Sequence, residues 1–418
     1  MEKTSRISGF HKLPPEERLK LVKNFAGLSD EEAKMIGDCG ALEQSKVDIM
    51  IENVIGSIMI PLGIATNFQI NGKDYLIPMA TEESSVVAAA SNAARMAREA
   101  GGFSAETTDP IMIGQIQIVD VPDPEEAAER IVARKDELLE LAKAQDSILV
   151  KFGGGPRDIT VKVLDTSEGK MLRVHLMVDV RDAMGANAVN TMAEAISSLL
   201  EEISGGRTLL KIISNLAIYR IAKAKVIFPK ELIGGGEVVD NILKAYAFAE
   251  NDIFRASTHN KGIMNGIAAV ALATGQDHRA IEAGAHVYAA MDHYKPLTRY
   301  YKDEKGNIVG EIELPMAVAT IGGATKVHPE FQICQKILGC ENAREMAGVF
   351  AAVGLAQNFA AVRALSDEGI QKGHMALHAR NIVVMAGAEG EDIERVANQL
   401  IKEGNVRMGR AKEILEGK

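Results

Sequence analysis

The sequence predicts an α+β protein in three parts: a large α/β domain with a central Ala-rich helix, an inserted ferredoxin-like split β-α-β-β-α-β domain, and a small C-terminal helical flap. Three observations predict it. Residues 84–100 read SSVVAAASNAARMAREA, a helix whose small side chains let neighbouring elements approach closely, as in a buried central helix. Near Asp109 the apolar pattern changes to short alternating runs interleaved with two helical segments. Beyond Gly373 the chain passes into a charged helical pattern, EDIERVANQLIKEGNVRMGRAKEILEG.

Each element follows in order. The longest uncharged stretch, 53–72, carries Gly56, Pro61, Gly63, Asn67 and Gln69, so it reads as strands and turns rather than an apolar span. YLIPM (75–79) is strand-like and leads into the Ala-rich helix. IMIGQIQIV (111–119) alternates as a strand does. PDPEEAAERIVARKDELLELAKAQ (122–145) opens with Pro and acids, which suit a helix N-terminus, and repeats apolar pairs at 127/128, 131/132, 138/139 and 141/142. Residues 158–164 and 171–180 alternate and are joined by the turn-like DTSEGK, which predicts a hairpin. A second helix from about Gly185 to Ile203 and the strand LLKIIS (209–214) complete the split unit. The partition is 1–108 with 216–372 for the large domain, 109–215 for the insert and 373–418 for the flap.

Composition narrows the function classes. The 418 residues hold 47 Lys+Arg against 57 Asp+Glu, a net charge of −10, with 47% hydrophobic and 25% charged residues. That balance excludes a disordered chain, and without a basic run it argues against nucleic acid as a partner. MEKTSRISGF lacks the apolar core of a signal peptide, and no membrane partner is expected. Cys39, Cys334 and Cys340 are odd in number and lack metal-ligand spacing, so free thiols in a reducing, cytoplasmic setting and no metal are expected.

Four segments carry candidate chemistry. In MATEESS (79–85), Glu83 is either a dipole partner of the following helix or, in a closed cleft that favours its protonated form, a general acid. In ASTHNKGIMNGI (256–267), Lys261 stands in an apolar, helix-forming stretch; it either snorkels to solvent or pairs with acids such as Asp277 and holds a developing oxyanion. His374 and His378 of HMALH share a helix face; without a Glu in the HExxH position they suit proton donation better than zinc, and surface or capping histidines are the ordinary alternative. In VRDAMGANAVNTMAEAI (180–196), small residues precede a helix whose free N–H groups make an anion site, a pattern common to many helices. No Rossmann G-x-G-x-x-G or Walker A sequence occurs, so any nucleotide is held by another fold.

Taken together, IENVIG (51–56), PMATEESSVVAAAS (78–91), RDAMGANAVNTMAEA (181–195), THNKGIMNGI (258–267), TGQD (274–277) and GHMALHARN (373–381) resemble the soluble class II hydroxymethylglutaryl-CoA reductases, in order and over nearly the whole chain. The resemblance implies a four-electron, two-hydride interconversion of the thioester 3-hydroxy-3-methylglutaryl-CoA and mevalonate plus CoA with NAD(P)H. It implies Lys261 as oxyanion stabiliser, Glu83 as proton donor, Asp277 tuning the Glu/Lys pair, and His374 protonating the CoA thiolate. Substrate contacts are implied at Glu52, Asn53, Ser85, Arg255, Thr258, Asn265 and His378, with Arg255 suited to the free carboxylate. The cofactor is implied in the insert, at Asp182, Ala183, Met184, Gly185, Asn187 and Asn215. Asp146 would face the adenosine ribose, which favours NAD(H) over NADP(H) because a carboxylate accepts from a 2′-hydroxyl and repels a 2′-phosphate.

Two departures from the resemblance are Pro156 in the Gly-rich GGGPRD stretch, which removes any thiol role there, and His11 where relatives can carry Arg. The resemblance also implies a homodimer, or an assembly of dimers, with the active site at the subunit interface. The alternative from another class is a CoA- or nucleotide-binding module without redox chemistry; the occurrence of Glu83, Lys261, Asp277 and His374 in four separate motifs speaks against it.

Overall fold

The computed structural model describes residues 4–37, 42, 50–53, 55, 57–366 and 379–417. Two sheets organise the chain. The larger has six strands in the order β2-β1-β3-β8-β10-β9, where β1 is Leu62–Ile70, β2 Lys73–Ala80, β3 Phe103–Thr107, β8 Ile221–Phe228, β9 Thr298–Lys302 and β10 Ile308–Pro315. All its pairings are antiparallel except β1 with β3, which meet in parallel at Ile70 and Phe103. The smaller has four strands in the order β5-β6-β4-β7, where β4 is Ile111–Val119, β5 Gly155–Thr166, β6 Gly169–Asp179 and β7 Arg207–Ser214. Numbered within this unit the order is 2-3-1-4 with every pair antiparallel, the ferredoxin-like arrangement.

The chain leaves the large sheet after β3, builds the small sheet, and returns at β8, which pairs with β3. Both crossings therefore lie at one seam. Each sheet has its own core: Met112, Ile116, Leu172, Leu176 and Val189 belong to the smaller, and Phe68, Ile77, Phe228, Val270 and Phe359 to the larger. Ala379, Val383, Val396, Leu400 and Ile414 form a separate small core in the C-terminal helices.

The helices that back the large sheet include the Ala-rich helix Val86–Arg98, Ile253–Ala273 and Ala343–Ser366. The last is long and apolar enough to cross a membrane, but most of its length is buried in the core. Ile253–Ala273 and Ala343–Ser366 pack through glycines. A Cβ on Gly266 would lie 2.9 Å from Gln357 Cβ, and one on Gly354 would lie 2.7 Å from Ile267 Cδ1.

Some boundaries differ from the sequence expectation. The first helical segment of the insert is broken at Arg134 into Pro124–Ala133 and Lys135–Lys143, and the second at Ile196 into Ala186–Ala195 and Ser197–Ser204. Beyond them Asp146 caps the start of a further short helix, Ser147–Lys151, accepting from Leu149 N–H at 2.8 Å.

Candidate active site

The helix Ile253–Ala273 sorts the THNK segment by its 3.6-residue period. His259 and Asn260 point into the core. His259 Nε2 meets Thr298 Oγ1 at 2.6 Å, Asn260 Nδ2 donates to Lys295 O at 3.0 Å, and Asn358 Nδ2 donates to His259 O at 3.0 Å. Thr258 and Lys261 consequently face outward, and Arg255, Thr258, Lys261 and Asn265 follow one another along a single stripe. Asp252 caps the helix by accepting from Arg255 N–H at 2.7 Å. The Arg255 guanidinium is half-buried, burial lowers its pKa from the ordinary arginine value, and no carboxylate pairs with it among the described residues.

Glu83 lies in the turn between β2 and the Ala-rich helix, with its N–H donating to Thr81 Oγ1 at 3.2 Å. Its carboxylate Oε2 accepts from Lys261 Nζ at 3.1 Å. The side chains are 43% and 59% exposed, so in the single chain Lys261 is an open cation beside one carboxylate rather than one enclosed between two. Ser85 begins the helix with φ of 75°, a left-handed conformation that turns the backbone between Glu83 and Val86.

Asp277 stands at the start of His278–Ala290, accepting from Ala280 N–H at 3.1 Å and pairing with Arg279 at 3.8 Å. Among the described residues no hydrogen bond or ion pair joins it to Lys261 or Glu83. Its loop is held firmly: Gly275 has φ of 68° against the Phe331 ring, and Gln276 pairs with both the N–H and C=O of Ala319 at 2.8 and 2.9 Å. Glu52 and Asn53 lie on the exposed segment before β1, away from any hydrogen bond to the pair. His374 and His378 lie outside the described residues.

In the insert, Gly185 precedes Ala186–Ala195 at φ of 100°, where a Cβ would meet Val180 Cγ1 at 2.4 Å; only glycine fits, and no side chain caps the helix. Asp182 is turned toward the large sheet: its carboxylate accepts from Ala343 N–H at 2.8 Å and its carbonyl from Thr320 N–H at 3.0 Å. Ala183 and Met184 offer their carbonyls to the buried Arg220. Asn187 and Asn215 are exposed on the same seam, and Asn215 O closely approaches Gly284.

A cavity of about 970 Å³ runs along the Ala-rich helix past Val87, Ser91 and Arg95 to the N-terminal segment with Arg6, His11 and Arg18. Sequence reasoning missed Arg95, Arg220 and Gln276. Arg95 had a legible signal, its position about one turn beyond Ser91 and nearly three beyond Ser85 on the Ala-rich helix. The other two acquire meaning only through carbonyls distant in sequence.

The family model for hydroxymethylglutaryl-coenzyme A reductase matches residues 14–379. The chain belongs to the hydroxymethylglutaryl-coenzyme A reductase family. It is thus an oxidoreductase, and its family is that of the mevalonate pathway. A 3-hydroxy-3-methylglutaryl-coenzyme A reductase of Archaeoglobus fulgidus is 60% identical over 413 residues, 99% of this chain and 94% of that protein. The solved enzyme from Streptococcus pneumoniae superposes with a TM-score of 0.83 at 40% identity, covering 98% of this chain and 99% of that one. A class II structure from the same organism, bound to NADPH in open conformations, gives 0.82 at 40% identity over 97% and 99%.

Proposed function

We propose that the chain interconverts 3-hydroxy-3-methylglutaryl-CoA and mevalonate plus CoA with NAD(P)H, in two hydride steps. The observation that carries this reading is the 3.1 Å Lys261–Glu83 pair beside the stripe of Arg255, Thr258 and Asn265. Arg255, which has no carboxylate partner among the described residues, binds the free carboxylate of the acyl group. Lys261 Nζ stabilises the negative charge that develops on the thioester oxygen. Glu83 donates a proton to the alkoxide at the second reduction, and Asp277 tunes the Glu83–Lys261 pair. His374 protonates the departing CoA thiolate, and His378, Ser85, Glu52 and Asn53 complete the substrate contacts. The cavity along the Ala-rich helix suits the CoA moiety, since its lining guanidinium groups, Arg6, Arg18 and Arg95, match phosphates.

A nicotinamide cofactor fits the insert: Gly185 lets the 182–185 loop turn tightly over Val180 into a helix that no side chain caps, a start suited to an anion such as a pyrophosphate. Ala183, Met184, Gly185, Asn187 and Asn215 would hold it there, with Asp182 fixing the loop. When bound, the reduced nicotinamide supplies the hydrides. Asp146 Oδ2 has no partner among the described residues and favours a ribose 2′-hydroxyl, hence NAD(H) over NADP(H). The NADPH-bound relative makes NADP(H) the direct comparison.

We further propose the division into 1–108 with 216–372, 109–215 and 373–418, a cytoplasmic setting, and a homodimer with interfacial sites. The exposed apolar run Ile55, Ile58, Met59 and Ile60 beside Glu52 and Asn53 supports the dimer. The purified protein should oxidise two NADH for each CoA thiol released, and absence of thiol release with either nicotinamide cofactor overturns the reading. Lys261→Met should abolish both hydride steps. His374→Ala should spare reduction of free mevaldehyde; equal loss on both substrates refutes the thiolate role.

A further inference from the structure

Between β10 and the helix Pro329–Leu338, residues 316–320 (MAVAT) form an extended strap that belongs to neither sheet. Its side chains alternate between the two cores: Met316 and Val318 pack with the large sheet, and Ala317 packs with the insert. The strap therefore lies along the seam where the halves meet.

Two buried polar side chains grip it. Gln276, beside Asp277, holds Ala319 through both backbone groups. Arg220, 5% exposed, donates to Val318 O from one side of its guanidinium; from the other it donates to Ala183 O at 3.0 Å and more weakly to Met184 O at 3.5 Å. Its own carbonyl accepts from Met316 N–H at 2.9 Å, and Thr320 N–H reaches Asp182 O at 3.0 Å. A continuous chain of bonds thus links the Asp277 loop, the strap and the 182–185 loop. No carboxylate forms an ion pair with Arg220 among the described residues. Its charge is spent on carbonyls, with Asp182 and Asp179 as the nearby acids, and burial lowers its pKa to about 10, leaving it charged at neutral pH.

This is an arrangement for fixing geometry. The planar guanidinium pulls the carbonyls of Ala183 and Met184 toward the strap and so sets the orientation of the following peptide groups at Gly185. We infer that Arg220 is a positioning residue for the nicotinamide cofactor, holding the 182–185 loop at a set distance from the Asp277 loop through the strap 316–320. The inference rests on the proposed reading of the 182–185 loop as the cofactor site. Arg220 touches neither substrate nor cofactor; it acts through Ala183, Met184 and Val318.

The test compares wild type, Arg220→Lys and Thr320→Gly by steady-state kinetics, by NADH and NADPH fluorescence titration, and by thermal melting. An ammonium cannot span the carbonyls that the guanidinium bridges, so Lys should not rescue. Arg220→Lys should raise the cofactor KM and Kd by roughly 10- to 100-fold, the scale of a misplaced reactant. The KM for hydroxymethylglutaryl-CoA should stay within about two-fold. Thr320→Gly keeps the strap N–H, loosens the backbone and should act in the same direction to a smaller degree. A folded Arg220→Lys with unchanged cofactor Kd, or with both KM values raised equally, overturns the inference. If Arg220→Lys does not fold, unchanged cofactor binding in Thr320→Gly overturns it. Wild type that binds neither nucleotide instead overturns the proposed cofactor site.

Discussion

His259 and Lys261 sit two positions apart and meet opposite surroundings, which makes the histidine a measurable contributor to acid sensitivity. Burial first, and the charge of Arg255 second, lower its pKa to about 3, while an unfolded histidine titrates near 6.5. Between those values the unfolded chain binds the extra proton. The stability that neutral His259 contributes is therefore present above pH 6.5 and is lost as pH falls, at about 1.4 kcal/mol per unit. His175, held down to about 4 by burial and then Arg173, adds to the same slope. Urea denaturation of His259→Gln from pH 7.5 to 5 should show a shallower decline than wild type, and an unchanged slope refutes the assignment. At this scale the site was partly legible. Lys261 drew attention as a charge in an apolar helix, and Glu83 as an acid before one, because a charge out of place in a periodic pattern is visible locally. The pairing of two residues 178 positions apart, 3.1 Å in the fold, was legible only through the family resemblance, and the burial of Arg220, whose partners are backbone carbonyls with no sequence signature, was not legible at all.

Among the elements, the insert was read nearly strand for strand, since each strand alternates and the hairpin turn at 165–170 is local. The helix breaks at Arg134 and Ile196 escaped, because tertiary packing bends a helix without altering its apolar period. The order of the large sheet escaped as well: β3 and β8, separated by the whole insert, are neighbours. Glycine in an apolar helix reads in sequence only as a lowered propensity, whereas here Gly266 marks the close contact that carries the Lys261 helix. A Cβ there would press on Gln357 Cβ and, at 3.2 Å, on the fixed carbonyl of Val353. Gly266→Ala should cost about 1–3 kcal/mol in urea denaturation, the usual range for overpacking. Gly354→Ala, whose nearest obstacle is the movable tip of Ile267, should cost less. The reverse order of the two losses contradicts a contact limited by backbone at Gly266.

For the whole molecule, the arrangement of exposed surface bears on the proposed dimer. Ile55 and Ile58 are 100% and 94% exposed, and Met59 and Ile60 continue the apolar run just before β1, a few residues beyond the exposed Glu52 and Asn53. Isolated exposed apolar residues are ordinary, but a consecutive group on an extended segment is the mark of a covered surface. The exposure of Lys261 fits the same picture, since the oxyanion stabilisation proposed for it gains strength where water is excluded and the single chain leaves it open. Ile58→Glu separates the interface from the fold, because a side chain almost fully in solvent contributes nothing to the monomer's core. Sedimentation should show wild type as a dimer and Ile58→Glu dissociating at higher concentration, with its melting profile in the monomer range unchanged in shape. Activity should fall on dilution and recover as protein concentration rises, as mass action requires of a site completed by a second copy. A fully active wild-type monomer, or an Ile58→Glu protein that neither dissociates nor loses activity on dilution, is incompatible with an interfacial site.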